Sequence, residues 1–349
     1  ITKTFGDATF NLTAPTTNST GAFSYASSDS NVASIIGNTV TIVGAGTATI
    51  TVSQAGDANY DPGSVTTTIT VNKAVATLSA MPSVSKNFGD ASFNLVAPTS
   101  ASTGAITYVS SNTNVATISG STISIIGAGT STITASQATD ANYLEATTSA
   151  TLTVNKIAPT IGSMSAISKT FGDANFTIIP PSTNSTGAFA YTSSDTNVAT
   201  ITGDLVSIVG AGTATISVDQ ATDSNYLAAA TSVSLTVNKA PVVFGTTTAI
   251  TKNYGDADFI LTPPQTNSTG AFTYSSNNPS IATINGNLVT IQGIGTTTIT
   301  VNQATTTNYL SGSTTISLVV NKTLPTIGSI TSITKTFGDA TFNLTAPTT

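Results

Sequence analysis

Short runs of alternating apolar and polar residues recur along the chain. Between residues 130 and 137, Ile133 and Ala135 fall on one face of an extended chain and Thr132 and Thr134 on the other. Between residues 147 and 154, Ala150, Leu152 and Val154 again share a face. Alternation with period two predicts strands buried on one side only. Within residues 74–156 the pattern predicts a first strand split into Val75–Leu78 and Val84–Phe88. Ser92–Ala97, Ala105–Ser111, Val115–Ile118, Thr122–Ile126, Thr130–Gln137 and Thr147–Val154 follow. Pro98 and Gly104 bracket one loop, and Gly127 and Gly129 bracket a tight turn. No helix-length stretch has 3.6-residue periodicity. Short half-buried strands separated by turn residues predict an all-β antiparallel sandwich.

The pattern repeats with a step of 83 residues and no insertion. A Gly-Asp pair places Asp at positions 7, 90, 173, 256 and 339. Val-Asn-Lys ends each repeat at Lys73, Lys156, Lys239 and Lys322, and a second lysine set stands at Lys3, Lys86, Lys169, Lys252 and Lys335. Gly-x-Gly pairs begin at Gly44, Gly127, Gly210 and Gly293, and Asn-Tyr pairs at Asn59, Asn142, Asn225 and Asn308. Fixed self-similarity of this kind is the mark of a repeat array. Residues 333–349 are identical to residues 1–17, whereas the other repeats match that segment at only 10 or 11 of 17 positions. Four repeats therefore form a larger unit that begins again at residue 333, and the chain reads as part of a longer periodic polypeptide.

The expected domains are residues 1–73, lacking a first strand; 74–156; 157–239; 240–322; and 323–349, the start of a fifth. The piece missing from the first domain corresponds to Thr323–Ser332. Linkers are nearly absent, so the array is expected to be linear and stiff.

Composition narrows the chemistry. Charged residues make up 7% of the chain, and it contains no Cys, His, Trp or Arg. Thiolate and imidazole metal sites are excluded, as are serine triads that need histidine. A formal charge of −6 and the absence of any basic cluster argue against nucleic acid. No apolar run approaches the roughly 20 residues of a membrane-spanning helix. No cofactor and no enzymatic activity are expected.

The segment 27–60 carries Ser27-Ser28-Asp29, Val32-Ala33, Gly37, Val40–Val43, Gly44-Ala45-Gly46-Thr47 and Ile50. It resembles the bacterial immunoglobulin-like domains of the group 2 type found in intimin- and invasin-like surface proteins, and the likeness extends over all four repeats. The resemblance implies tandem immunoglobulin-like sandwich domains in a cell-surface or extracellular spacer, fibre or adhesin stalk. In such sandwiches the second half of the first strand lies parallel to the last strand, here Val84–Phe88 beside Thr147–Val154.

Several residue sets invite chemical readings. Asp7 and its equivalents, with Asp57, Asp140 and Asp223 in a second loop, offer carboxylates to Ca2+, which takes six to eight oxygens. Thr306 replaces the loop carboxylate in the fourth repeat, and an Asx-type turn is the favoured reading. Two lysines per repeat suggest Lys–Asn isopeptide chemistry, but that requires a buried acid. Lysines that guard sheet edges are expected instead. Thr-x-Thr runs at Thr47, Thr130, Thr213 and Thr296 are expected on a solvated strand face, with glycan or ice recognition as the alternative. Asn18, Asn184 and Asn267 begin Asn-Ser-Thr triplets in one surface loop. Tyr60, Tyr143, Tyr226 and Tyr309 are expected to cap a sandwich end and to hydrogen-bond backbone through their hydroxyls.

A structural role is therefore expected, as a stiff extracellular spacer or filament. The expected partners are further copies of the chain, end to end or side by side, and possible cell-surface or glycan contacts.

Overall fold

The computed structural model describes residues 1–348 and divides into two compact units. The first comprises Ile1–Thr160 with Thr183–Ala188 and Ala221–Ala229; the second comprises Ile161–Ser182, Phe189–Gln220 and Ala230 onward.

In the first unit, the second repeat shows how the pattern becomes a fold. Its four-stranded sheet runs in the order Ile106–Ser110, Gly129–Gln137, Ala146–Asn155, Val84–Asn87. Its three-stranded sheet runs Phe93–Asn94, Thr122–Ile125, Ala116–Ser119. All neighbours are antiparallel except Val84–Asn87, which pairs parallel with the last strand in the register Leu152 to Val84 and Asn155 to Asn87. The inward residues of both sheets meet in one core of Val115, Ala116, Ile123, Ile133, Ala135, Leu152 and Val154, with Met81 closing its edge. Complete burial of one Ile or Leu contributes about 1.5–3 kcal/mol, so a core of this size holds two thin sheets together. Thr132, one residue out of phase with Ile133, is exposed.

Two predicted strands are shorter than the pattern suggested. Ser92–Ala97 reduces to Phe93–Asn94, and Val75–Leu78 to Ala74–Val75. Both lie at sheet margins, where a strand has a ladder partner on one side only. The pattern also missed a strand: Tyr143–Leu144 pairs parallel with Ala74–Val75. The first repeat, in the same unit, has the same pair of sheets, including a parallel pairing of Thr2–Thr4 with Gly63–Asn72.

The second unit holds the core of the third repeat, built on Val206, Ile216, Val218, Leu235 and Val237. It also holds the fourth repeat, whose core is built on Leu261, Val289, Ile299, Leu318 and Val320. Both repeats keep the order of the four- and three-stranded sheets. Residues 323–348 contain no strand. They do contain three local features of the other repeats. Thr336 N donates to Asp339 Oδ2 at 2.8 Å, Lys335 Nζ lies 5.0 Å from the Phe342 ring centre, and Gly328 N donates to Thr348 O at 3.0 Å. Among the described residues no helix is long and apolar enough to cross a membrane.

Candidate functional site: the junction between repeats

The residues that recur at fixed spacing converge on the seams between consecutive repeats. The Asn-Tyr pair of one repeat reaches back to the end of the repeat before it. Asn142 Oδ1 accepts from Ala45 N at 2.9 Å, Asn225 Oδ1 from Ala128 N at 2.8 Å and Asn308 Oδ1 from Ala211 N at 2.8 Å. The donor in each case is the middle residue of a Gly-Ala-Gly turn. Glycine is required beside it: a Cβ at Gly127 would lie 2.6 Å from Asn114 O and 3.2 Å from Asn225 Oδ1. The turn therefore presents bare backbone at a spot where a side chain would push the neighbouring repeat away.

The tyrosine ring that follows packs edge-on against a phenylalanine at the end of the preceding repeat's parallel strand. Tyr143 meets Phe5 with ring centres 5.4 Å apart, Tyr226 meets Phe88 at 5.6 Å and Tyr309 meets Phe171 at 5.5 Å. These interplanar angles of 81–84° place the positive ring edge against the negative face. Tyr60 and Tyr254, which have no such partner among the described residues, are 44% and 52% exposed, whereas Tyr143, Tyr226 and Tyr309 are half-buried. The expected hydroxyl bond to backbone is not what places these rings; the aromatic partner across the seam is.

The Val-Asn-Lys lysines complete the seam. Lys73 Nζ donates to Asp140 O at 2.5 Å and to Thr139 Oγ1 at 3.2 Å. Lys156 makes the same pair with Asp223 O and Thr222 Oγ1, and Lys239 with Thr306 O and Thr305 Oγ1. Edge protection is thus corrected for this set: the ammonium binds backbone and hydroxyl oxygens of the next repeat. The other lysine set does lie on the edge strand. Lys86 Nζ sits 5.0 Å from the Phe93 ring centre, so its cation closes the open side between the two sheets, as Lys3, Lys169 and Lys252 do in theirs. Just past the seam the main chain pairs within the next repeat: Ala74 N donates to Asn142 O at 3.0 Å, and Ala240 N to Asn308 O at 2.9 Å.

The loop that carries Asn-Tyr is held by the aspartate two residues before the asparagine. Asp140 Oδ2 accepts from Thr103 N at 2.7 Å, Ser102 Oγ at 2.9 Å and Thr103 Oγ1 at 3.1 Å. Its Oδ1 accepts from Tyr143 N at 2.7 Å and Asn142 N at 2.8 Å. Asp57 and Asp223 repeat the arrangement. The Thr103 amide, then the Asn142 amide and the Ser102 hydroxyl, hold the Asp140 carboxyl well below the usual carboxylate range. Five donors already occupy this carboxylate, so its oxygens are committed to the loop and not directed at a cation. Gln137, 3% exposed, fixes the opposite loop by donating Nε2 to Ser102 O at 2.9 Å and Gly104 O at 3.1 Å. The Gly-Asp aspartates form the expected local turn: Asn87 N donates to Asp90 Oδ2 at 2.9 Å, next to Gly89 at φ +86°.

In the Thr-x-Thr runs the outer residues are exposed and the central one is buried, as with Thr130, Ser131 and Thr132. Asn184 and Asn267 are tied down: Asn184 Oδ1 accepts from Thr160 N at 2.8 Å and Asn267 Oδ1 from Val243 N at 2.9 Å. Sequence reasoning had singled out Asn-Tyr, Gly-x-Gly and Val-Asn-Lys separately. It missed that they meet, and it missed the phenylalanines and the Ala45-type amides altogether.

These sheets and seams define a class, that of tandem immunoglobulin-like β-sandwich domains joined end to start. A family model, the intimin immunoglobulin-like domain, matches residues 265–305 of the fourth repeat. No curated protein matches the chain by sequence. Among solved structures, the chain is similar to Sidekick-1 immunoglobulin domains 1–5 at 12% identity, over 92% of this chain and 78% of that one, with a TM-score of 0.33. It is similar to the insect immune protein hemolin at 13% identity, over 93% and 97%, with a TM-score of 0.28. It is similar to Drosophila N-cadherin EC1-4 at 11% identity, over 90% and 94%, with a TM-score of 0.28. At such scores these whole-chain likenesses add nothing to the fold read from the sheets themselves.

Proposed function

We propose that this chain is a non-catalytic, load-bearing spacer of an extracellular or cell-surface fibre or adhesin stalk, built from the domains 1–73, 74–156, 157–239 and 240–322, with 323–349 opening a fifth. The observation that carries the reading is the repeated seam. At three successive positions the same amide, aromatic and ammonium contacts join one repeat to the next, so each joint is bound on several sides and resists bending. The intimin-domain match in the fourth repeat supports a surface setting. Within each repeat, the parallel pairing of an early strand with the last strand lies between the points where load enters and leaves. Tension along the chain therefore shears several backbone bonds together. Each contributes only about 0.5–1.5 kcal/mol net, so the resistance is kinetic. Electron microscopy of the isolated chain tests the joints. Straight particles of uniform length are expected, and substituting Tyr143, Tyr226 and Tyr309 together by Ala gives visibly bent ones. Parent particles that bend freely at the seams would remove the stiff-spacer reading.

A further inference from the structure

The four-stranded sheet of the second repeat has two edges of opposite character. One is Val84–Asn87, which carries Lys86 with its cation turned in over the Phe93 ring. A lysine directed inward at an edge discourages pairing with another chain. The other edge is Ile106–Ser110, which has no charge and no proline, and residues 91–139 around it contain no Asp, Glu, Lys or Arg. Its register with Gly129–Gln137 fixes which main-chain groups are free. Ala138 N donates to Ala105 O at 2.9 Å and Ser111 N to Thr132 O at 3.0 Å. Antiparallel ladders alternate, so between those bonds Thr107 faces Ser136 and Val109 faces Thr134 through the ladder. The N–H and C=O groups of Ile106, Tyr108 and Ser110 point away from the sheet, and among the described residues no partner reaches them. The equivalent edges Phe23–Ser27, Phe189–Ser193 and Phe272–Ser276 are uncharged as well. The second repeat differs in its outward residue. Val109 is 62% exposed, where the others have Ala26, Thr192 and Ser275, and Ile, Tyr and Val all favour a strand.

We propose that Ile106–Ser110 pairs antiparallel with the same strand of a second copy, joining two four-stranded sheets side by side into one. The edge is its own complement. A two-fold axis at Tyr108 sets Tyr108 opposite Tyr108 of the second copy and Ile106 opposite Ser110, so every free N–H meets a free C=O. It also sets Thr107 opposite Val109 on the outer face, where each Val109 gains a cross-strand neighbour and loses exposure to water. A charged peptide would find no counter-charge on this edge, whereas a second copy brings a strand of equal length with neutral flanks. The formal charge of −6 on the whole chain leaves little repulsion to oppose the approach. Affinity comes from the main-chain bonds and selectivity from the side chains at alternate positions. The contact uses the same patch on both copies and therefore closes on a dimer. A strand of five residues offers a short ladder, so the pairing is weak and reversible.

The test is sedimentation equilibrium on the 349-residue chain across a concentration series, with two double variants. Thr107→Lys with Val109→Lys sets like charges directly opposite one another across the two-fold axis, and Thr107→Glu with Val109→Glu does so with the other sign. Both positions are exposed on the outer face, so the core is untouched. The parent is expected to shift reversibly from monomer towards dimer as concentration rises. Each double variant alone stays monomeric over the same series. An equimolar mixture of the two associates again, because the lysines of one copy then face the glutamates of the other, and that mixed dimer weakens as salt is added. Recovery in the mixture also shows that neither variant failed by misfolding. A parent that stays monomeric at every concentration overturns the proposal. So do double variants that associate like the parent, or a mixture that stays monomeric. Any of these results leaves the load-bearing reading standing, since it concerns joints within one chain and has its own test by microscopy.

Discussion

Asp57, Asp140 and Asp223 each hold two loops together through hydrogen bonds that only the charged carboxylate can accept in full. Their folded-state pKa lies well below the ordinary value of 3.8. A depressed folded pKa stabilises the fold above the unfolded pKa and loses that contribution as pH falls through the folded one. The Asp contribution is therefore complete at neutral pH and begins to fade once pH drops below about 4. Asp140→Asn places an amide donor against the Thr103 and Tyr143 amides. It is expected to lower the melting temperature at neutral pH, with the gap from the parent narrowing as the solution is acidified below about pH 4. The fourth repeat offers an internal comparison. Thr306 Oγ1 accepts from Tyr309 N at 3.1 Å and carries no charge, so hydrogen exchange in its loop should respond less to acid than in the loops around Asp140 and Asp223. Equal acid sensitivity in all four loops would show that these carboxylates do not hold them.

At the scale of the strand, the parallel ladder between Val84–Asn87 and Ala146–Asn155 has a definite phase. Phe88 N donates to Asn155 O at 2.9 Å. Donors along a strand alternate between its two neighbours, so Thr153 N faces the parallel partner and Leu152 N faces Gly129–Gln137. Thr153→Pro removes one of the bonds that end-to-end tension loads directly. Thr132 N instead donates to Ser111 Oγ at 2.9 Å, outside that ladder. Pulling a single chain should therefore show Thr153→Pro reducing the unfolding force of the second repeat well beyond Thr132→Pro. Similar forces for the two variants would mean that load does not pass through the parallel pair.

Along the whole chain, each seam couples the stability of neighbours, as expected for repeat arrays in which nearest-neighbour terms add to the stability of each unit. Replacing Asn142, Asn225 and Asn308 by Ala leaves three turn amides without their acceptors, each at a cost of about 1–3 kcal/mol where the amide stays shielded from water. Calorimetry is expected to resolve the parent's unfolding as fewer, sharper transitions than those of the triple variant, which should broaden and begin at lower temperature. Identical traces would show that the asparagines contribute nothing to coupling.

Much of this was already legible in the sequence. Alternation places Ile133, Ala135, Leu152 and Val154 inside, because a strand's side-chain period is two and one face must leave water. The 83-residue step places every turn glycine, and the pairing of early and late strands follows from the immunoglobulin-like resemblance. The strand Tyr143–Leu144 was not legible: it is two residues long, and its partner lies 69 positions earlier. The lysines, tyrosines and asparagines of the seam were visible as repeating residues but not as neighbours. Asn142 and Ala45 are 97 positions apart, more than one full repeat, and nothing in a periodic pattern says whether a conspicuous residue serves its own sandwich or the one before it. Local pattern determines which face of a strand turns inward; only the packed structure decides which ends meet, because that depends on how the chain leaves one sandwich and enters the next.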